Sequence, residues 1–295
     1  MPNYLITAGK YAAEIRSKGG GLNYLTFNTK DLIDRFTDGE PHRFRGDVLV
    51  PWPNRIRDGK YRYQNREYKL FQNEVSRSNA LHGLVLENEW NLLEVKENVV
   101  ELITTVSNAE SYPSKLEIRV SYMVSIAGLR IKLITKNIGL NNAPYGHSIH
   151  PYLIADPDSR VDTWILKLPA TQYMEVDKSR LLPVGVKVVN KDFDFNSGRS
   201  IGTTFIDHAF YIDKRSDNQS VELISRSGAG VGMRYSGNLN WIQIHTADRE
   251  NGKDSRTCLA VEPMTCPPDA FNSGIDLLHL KPGESSSSIW EIFKI

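Results

Sequence analysis

The residues best suited to chemistry lie in four widely separated segments that are rich in proline and aromatic side chains. The segments are PWPNRI (51–56), NALHG (79–83), APYGHSIHPYL (143–153) and AVEPMTCPPDAFN (260–272). They contain imidazoles and carboxylates, which are the groups that most often transfer protons in proteins. Neighbouring prolines restrict the backbone dihedrals and so help to aim a side chain at a ligand. These segments are therefore candidates for a ligand site with titratable side chains.

Each candidate residue also has a purely structural interpretation. Glu262 follows small side chains on one face of a predicted strand, which could line a cavity, but a salt bridge at a strand end fits the same pattern equally well. His82 and His150, taken singly, fit structural or surface histidines better than catalytic ones. Arg55 alone fits a solvated arginine at a strand end. The residue types by themselves leave these alternatives open.

Metal sites and several enzyme classes are not indicated. His147 and His150 form an HxxH pair, but on a strand they would point to opposite faces, and no third ligand follows at a suitable spacing. The chain contains no P-loop, no GxSxG elbow and no HExxH helix. Cys258 and Cys266 match no zinc pattern, so we interpret them as free thiols, with a disulfide as the alternative. We expect no metal and no other cofactor.

The elements that must position these residues are short strands. Apolar residues alternate with polar ones from Leu116 to Val124, and again from Leu129 to Leu133, which predicts two half-buried strands joined in a hairpin. Further predicted strands span 90–95, 99–106, 220–225, 231–235, 241–246, 257–262 and 288–295. Many short strands separated by turn signals are typical of an antiparallel sandwich or barrel.

Helical signals are weak, and only Lys30–Phe36 is predicted as a short helix. The glycines at 19–21 predict a tight turn between early strands rather than a phosphate cradle. Pro282 and Gly283 predict a last hairpin that contains Ser285–Ser288. Because no repeat, charged block or linker divides the chain, we expect one domain over residues 1–295.

Composition narrows the possible partners. The 295 residues include 36 basic and 35 acidic side chains, for a formal charge of +1. Such a balance lacks the electrostatic footprint of a protein that binds nucleic acid or an anionic membrane. The first residues lack the apolar stretch of a secretory signal, and no apolar run is long enough to span a bilayer. We expect a soluble, cytoplasmic protein.

Taken in order, the motifs resemble those of the aldose 1-epimerase (galactose mutarotase) family. The matching segments are 19–25, PWPNRI, LHG (81–83), HPY (150–152), DFNSGRSIG (194–202), DHAF (207–210) and EPMTCPPDAFN (262–272). The resemblance implies an all-β fold, a large antiparallel supersandwich with few short helices. It also implies a small-molecule sugar as the substrate, no cofactor, and a chain that is a monomer or weak dimer.

The resemblance also implies roles for individual residues. His150 would be the general acid at the sugar ring oxygen and Glu262 the general base at the C1 hydroxyl. His82 would be a second catalytic histidine that hydrogen-bonds the substrate and helps to hold the developing charge. The residues implied to hold the sugar are Asn54, Arg55 and Asp207. A base and an acid on opposite edges of one sugar would open the ring, let the aldehyde turn, and close it as the other anomer. The motif HSIHPYL departs from the NHxYFN of many members, which leaves the preferred sugar open.

Three alternatives remain at this point. A hexose 6-phosphate mutarotase would need extra cations, and Arg57, Lys60 and Arg62 could supply them, although these residues fit the polar side of a hairpin better. A carbohydrate-binding or sensing protein could keep the fold without turnover. A glycosidase would need two carboxylates, and Asp207 could be the second.

Overall fold

The protein, represented here by a computed structural model, is described over residues 2–36, 44–107, 109–213, 220–249, 252 and 254–295. The first half of the chain contains β1 (Asn3–Ala8), β2 (Tyr11–Arg16), β3 (Leu22–Phe27), β4 (Lys30–Asp31), β5 (Val48–Leu49), β6 (Arg55–Arg57), β7 (Lys60–Tyr63), β8 (Arg66–Lys69), β9 (Asn79–Leu81), β10 (Asn91–Lys96), β11 (Val99–Val106), β12 (Leu116–Ser125), β13 (Gly128–Asn137) and β14 (Ala143–Tyr145). The second half contains β15 (Ser148–Ile149), β16 (Tyr152–Leu153), β17 (Ile165–Leu168), β18 (Gln172–Val176), β19 (Pro183–Val188), β20 (Phe195–Ser200), β21 (Asp207–Tyr211), β22 (Ser220–Ile224), β23 (Gly230–Ser236), β24 (Trp241–His245), β25 (Leu259–Met264), β26 (Leu278–Leu280) and β27 (Ser285–Lys294).

Helices are short and few among these residues. The described ranges contain one α-helix, α1 (Ala270–Ser273), and single 3-10 turns at Val75–Arg77 and Val161–Thr163. In the part of the chain that the structure describes, no helix has the length and apolar character needed to cross a bilayer. The expectation of an all-β chain with few short helices is confirmed.

A nine-stranded antiparallel sheet has the order β10-β11-β12-β13-β27-β23-β22-β17-β20. It contains the predicted hairpin, in which β12 and β13 pair from Leu116 opposite Asn137 to Ser125 opposite Gly128. Side chains alternate between buried and more exposed along β12, because successive residues of a strand point to opposite faces. The other predicted strands are also present, with ends shifted by up to three residues.

A six-stranded antiparallel sheet, with the order β16-β25-β24-β21-β18-β19, forms the second large layer. One apolar core contains side chains from both large sheets, such as Leu166 and Val231 from the first and Ile242 and Val261 from the second. Two sheets that bury their inner faces in a common core form a sandwich. The predicted antiparallel sandwich is therefore confirmed.

The helix predicted over Lys30–Phe36 is wrong. Lys30 and Asp31 form β4, which pairs with β3, and the Leu32 amide donates a hydrogen bond to the Leu25 carbonyl at 2.9 Å. The Asp34 amide then donates to the Tyr152 carbonyl at 2.7 Å. A seven-residue helix has little stability of its own, so pairing with neighbouring strands decides the conformation.

The predicted last hairpin is also wrong, although its turn exists. The Glu284 amide donates to the Lys281 carbonyl at 2.9 Å, but β26 pairs with β14 and β27 pairs with β13 and β23. The chain crosses from a two-stranded ribbon to the centre of the large sheet at this turn. Turn residues specify a reversal of direction but not the partner of each strand.

Candidate active site

A cavity of about 300 Å³ opens on the six-stranded sheet. All six residues predicted to carry chemistry line it, namely Asn54, Arg55, His82, His150, Asp207 and Glu262. Its size is at the lower end of the range for small-molecule sites. Side chains separated by more than two hundred positions in the sequence therefore share one small space.

Three neighbouring strands supply the floor of the cavity. Gln243 on β24 lies directly opposite Glu262 on β25, and His245 lies directly opposite Asp207 on β21. Residues directly opposite each other in a sheet point to the same face. The intervening Ile244 is in the apolar core, so one face of the sheet builds the fold and the other carries the polar groups.

The central contact of the cavity is between a carboxyl group and an imidazole. Glu262 Oε1 lies 3.3 Å from His150 Nε2, and both side chains are buried. The expectation that these two groups occupy opposite edges of a sugar ring is wrong, because they touch. A pair this close can pass a proton directly or serve two neighbouring atoms of one ligand.

Burial shifts both groups of this pair towards their neutral forms. Desolvation raises the pKa of Glu262 well above its usual value; the charge of Asp207 adds to this effect and that of Arg55 opposes it. Desolvation lowers the pKa of His150 to about 3, against the charge of Asp47, which acts to raise it. Charged forms are disfavoured where water is excluded. Both shifts therefore favour the form of the pair in which His150 is neutral and Glu262 is protonated.

His82 is held in one tautomer by the backbone. The Asn54 amide donates to His82 Nδ1 at 3.2 Å, and the His82 amide donates to the Asn54 carbonyl at 3.0 Å. Since Nδ1 accepts a hydrogen bond, a neutral ring carries its hydrogen on Nε2. Desolvation, together with His150 and Arg55, holds the pKa of His82 well below its usual value. His82 is thus a neutral hydrogen-bond donor.

Arg55 is fixed by two carboxylates at the cavity wall. Its Nε and Nη2 atoms donate to Glu74 Oε2 and Oε1, each at 3.0 Å, and Nη2 lies 3.8 Å from Asp207 Oδ2. Asn54 Oδ1 accepts from the Arg55 amide at 2.9 Å. The two parallel hydrogen bonds from Arg55 to Glu74 fix the plane of the guanidinium as well as its position.

Asp207 stays ionised despite its burial. Desolvation acts to raise its pKa, but the charges of His245 and Arg55 and the hydrogen bond from Gln243 outweigh it, so the pKa lies below its usual value. The Gln243 side chain donates to Asp207 Oδ1 at 2.6 Å. The cavity therefore combines an anionic acceptor, a cationic donor and the carboxyl–imidazole pair of Glu262 and His150.

The sequence matches the family model described as aldose 1-epimerase over residues 2–292. The chain belongs to the aldose 1-epimerase family. This is a family of isomerases. The chain is 37% identical to the protein YihR of Escherichia coli (strain K12) over 290 residues, which covers 98% of this chain and 92% of that protein. It is also 22% identical to the galactose mutarotase of Sus scrofa over 311 residues, covering 96% of this chain and 88% of that one.

Solved structures of other aldose epimerase homologues share the fold. A GalM/aldose epimerase homologue from C. elegans superposes with a TM-score of 0.87 at 19% identity, over 100% of this chain and 98% of that one. A galactose mutarotase-like protein from Clostridium acetobutylicum gives a TM-score of 0.86 at 18% identity, over 99% and 94% of the two chains. The predicted supersandwich fold is thus confirmed.

The HxxH pair of this aldose 1-epimerase family member is divided between two environments. His147 Nε2 lies 2.8 Å from Ser288 Oγ, and its ring packs against Trp290 at 5.7 Å, whereas His150 faces the cavity. Among the residues the structure describes, no group of three or more His, Cys, Asp or Glu side chains is arranged to hold a metal ion. Cys258 and Cys266 are buried free thiols.

The cations suggested for a phosphate subsite do not line the cavity. Arg57 lies 3.4 Å from Asp269, and Lys60 and Arg62 are exposed on β7. Arg249, which the sequence analysis did not single out, does line the cavity, and its Nη2 lies 3.5 Å from Asp34 Oδ2. The additional cation at the cavity is therefore Arg249 and none of the three that the sequence analysis suggested.

Sequence analysis missed several residues that line this cavity, namely Phe44, Glu74, Gln243, His245 and Arg249. Gln243 and His245 alternate with Ile242 and Ile244 in a predicted strand, so their shared polar face was a usable signal. Glu74 and Arg249 lie outside regular strands, where no periodicity marks the buried side. Only the folded chain brings them to the site.

Proposed function

We propose that this protein is a mutarotase that interconverts the α and β anomers of a free hexose. The observation that supports this most strongly is the contact of 3.3 Å between Glu262 and His150 in a cavity of sugar size. The ring oxygen and the anomeric hydroxyl of a pyranose are both bonded to C1, so one compact pair can serve both atoms. Side-by-side placement suits this reaction better than placement on opposite edges.

The proposed reaction moves two protons and breaks one bond. Glu262 as carboxylate removes the proton of the C1 hydroxyl while His150 as imidazolium donates a proton to the ring oxygen, and the bond between C1 and that oxygen breaks. The open aldehyde turns about the bond between C1 and C2. Ring closure reverses both transfers and yields the other anomer, so no proton is gained or lost over the cycle.

The electrostatics of the cavity favour one half of this cycle. The form with neutral His150 and protonated Glu262 is the one that accompanies the open sugar in this mechanism. The ion-pair form needed to open the ring holds the same number of protons and differs only in their placement. Arg55 lowers the pKa of Glu262 and Asp47 raises that of His150, so both charges favour the ion-pair form. The two forms are thereby brought closer in energy.

The remaining predicted residues are proposed to hold the sugar. Neutral His82 would donate from Nε2 to a hydroxyl, and Asp207 would accept from one. Arg55, whose guanidinium donates to Glu74 and, at 3.5 Å, to Asn54 Oδ1, would donate to hydroxyl oxygens. Fixed donors and acceptors hold the reacting carbon against the proton-transfer pair.

Polarimetry tests this proposal directly. Fresh α-glucose, α-galactose and α-glucose 6-phosphate are dissolved with and without the protein, and the approach to anomeric equilibrium is followed. We expect faster equilibration of at least one free hexose, and little effect on the phosphate ester because Arg57, Lys60 and Arg62 lie off the cavity. Sugar binding without acceleration would favour a binding protein instead, and preference for the phosphate ester would favour the phosphorylated-sugar alternative.

A further inference from the structure

A buried ion pair lies outside the cavity, and neither of its side chains transfers a proton or holds the sugar in the mechanism above. Arg16 Nη2 donates to Asp47 Oδ1 and to the Arg45 carbonyl at 2.7 Å. Both side chains are buried, and neither lines the cavity. Replacing a buried ion pair by apolar residues is often neutral or stabilising. Stability alone therefore does not explain why this pair is present.

The backbone of residues 46 and 47 makes hydrogen bonds with both the amide and the carbonyl group of His150. The His150 amide donates to the Asp47 carbonyl at 3.0 Å, and the Gly46 amide donates to the His150 carbonyl at 2.9 Å. These two bonds fix the residue that carries the imidazole. The contacts that hold residues 46 and 47 in place therefore also fix the position of the His150 ring.

The same short segment places an aromatic ring against both active-site histidines. The Asp47 amide donates to the Phe44 carbonyl at 3.2 Å. The Phe44 ring centroid lies 4.6 Å from that of His82 and 6.2 Å from that of His150. The turn at 44–47 thus contacts both imidazoles, and its buried anchor is the carboxylate of Asp47.

The glycines at 19–21 make room for this anchor. They form the predicted turn between β2 and β3, and a Cβ on Gly21 would collide with the Arg16 guanidinium. A Cβ on Gly19 would lie 3.3 Å from Asp47 Oδ1 and 2.9 Å from the Leu86 carbonyl oxygen. The glycines at 19–21, which the sequence predicts only as a turn, therefore also leave the space that the Arg16–Asp47 ion pair occupies.

We propose that Arg16 and Asp47 are positioning residues for the proton-transfer pair, holding the 44–47 turn and through it the His150 imidazole against Glu262. This inference rests on the proposed mutarotase function. It assigns a role in turnover to two residues that do not touch the substrate. The negative charge of Asp47 also favours a protonated His150, so the anchor acts on the energy of the acid as well as on its place.

Other groups also face His150 and contribute to any pH dependence. They are Glu262, His82, His245, Asp207 and the stacked ring of Tyr152. A test must therefore change the anchor while leaving these groups in place. Asp47→Asn does so, because the amide keeps the shape of the side chain and the backbone bonds to His150.

The test measures mutarotation by the Asp47→Asn variant over a range of pH, per mole of folded protein. We expect kcat to fall ~10-fold or more with KM within ~2-fold of wild type, since the sugar-holding residues are unchanged. Removing the negative charge weakens proton binding by the pair, so the alkaline limb of the kcat profile should move ~1 pH unit lower. The matched control is Asp162→Asn, which changes a partly buried carboxylate paired with Arg256 and should leave kcat and the pH profile unchanged.

Gly21→Ala supplies a second test, because the added methyl group displaces the Arg16 guanidinium without altering any charge. We expect a loss of kcat with little change in KM and a smaller shift of the alkaline limb. Wild-type kcat and pH profile in either folded variant, or a loss that only follows the folded fraction, would overturn the positioning role. A wild-type protein that accelerates no sugar would instead overturn the proposed function, so the two failures are distinguishable.

Discussion

The two large sheets of this protein differ in what their faces contact. In the nine-stranded sheet, β12 alternates between buried and more exposed side chains along its whole length, as expected for a sheet with one face in the core and one in water. In the six-stranded sheet, all six residues of β25 are buried. On the second face of this sheet, Asp207, Gln243 and Glu262 line the cavity.

The two sheets also differ in the polar atoms that they bury. On the site side, Glu262 Oε2, His150 Nδ1 and Gln243 Oε1 are buried and have no hydrogen-bond partner among the described residues. Buried polar atoms left without partners cost stability, and all three residues line the cavity. The nine-stranded sheet, by contrast, contributes mainly apolar side chains to the core. We infer that turnover depends on the first region and stability on the second, which mutations can test.

The largest expected effect is on the site side. Glu262→Gln removes the proposed base but keeps its shape, so kcat should fall by ~10²–10⁴-fold. The free energy of unfolding should stay the same or rise, because a neutral amide replaces a buried ionisable group. Polarimetry and urea unfolding measure the two effects. The control is Glu222→Gln on β22, the same change at an exposed ion pair. Turnover close to normal in a stable Glu262→Gln variant would remove the assignment.

In the nine-stranded sheet we expect a mutation to lower stability and to leave turnover unchanged. Leu133→Ala on β13 removes a fully buried side chain and should lower the free energy of unfolding by about 2–5 kcal/mol. Below the unfolding transition kcat should be unchanged, because no residue of β13 lines the cavity. The control is Lys132→Ala, whose side chain points to the other face and should cost less than about 0.5 kcal/mol. A large loss of kcat in folded Leu133→Ala protein would show that the two regions are not separable.

A smaller effect distinguishes two histidines that are three residues apart. Burial lowers the pKa of His147 to about 3, while the unfolded chain keeps a value of about 6.5. The unfolded state therefore binds a proton that the folded state does not as the pH falls below 6.5, so stability is lost on acidification. His147→Gln should reduce the loss of unfolding free energy between pH 7 and pH 5 by about 2 kcal/mol.

This variant should leave the pH dependence of kcat unchanged, since His147 contacts Ser288 and Trp290 and does not line the cavity. Urea unfolding at the two pH values, alongside polarimetry, checks both statements. The comparison of regions would need revision if the variant kept the acid sensitivity of the wild-type stability, or if its pH profile of turnover moved.

Much of the fold was predictable because strands with one buried face alternate in sequence. The hairpin of β12 and β13 and the strand β11 follow directly from that period. The failures at Lys30–Phe36 and at the last hairpin have a common cause, since in both places pairing with distant strands decides the local conformation. One domain over 1–295, a cytoplasmic location and a monomeric or weakly dimeric state stay predictions.

The sequence by itself determined that the chain folds as short strands of a sandwich or barrel, since side-chain period and turn residues are local properties, and the family resemblance implied the sandwich. It also determined which residue types could transfer protons, since these stood in recognisable motifs. Only the tertiary structure decided that Glu262 touches His150, that His147 belongs to the core, and that Glu74 fixes Arg55. The reason is that such contacts depend on how strands far apart in the chain are paired and aligned, and a shift of one residue would turn each side chain to the opposite face.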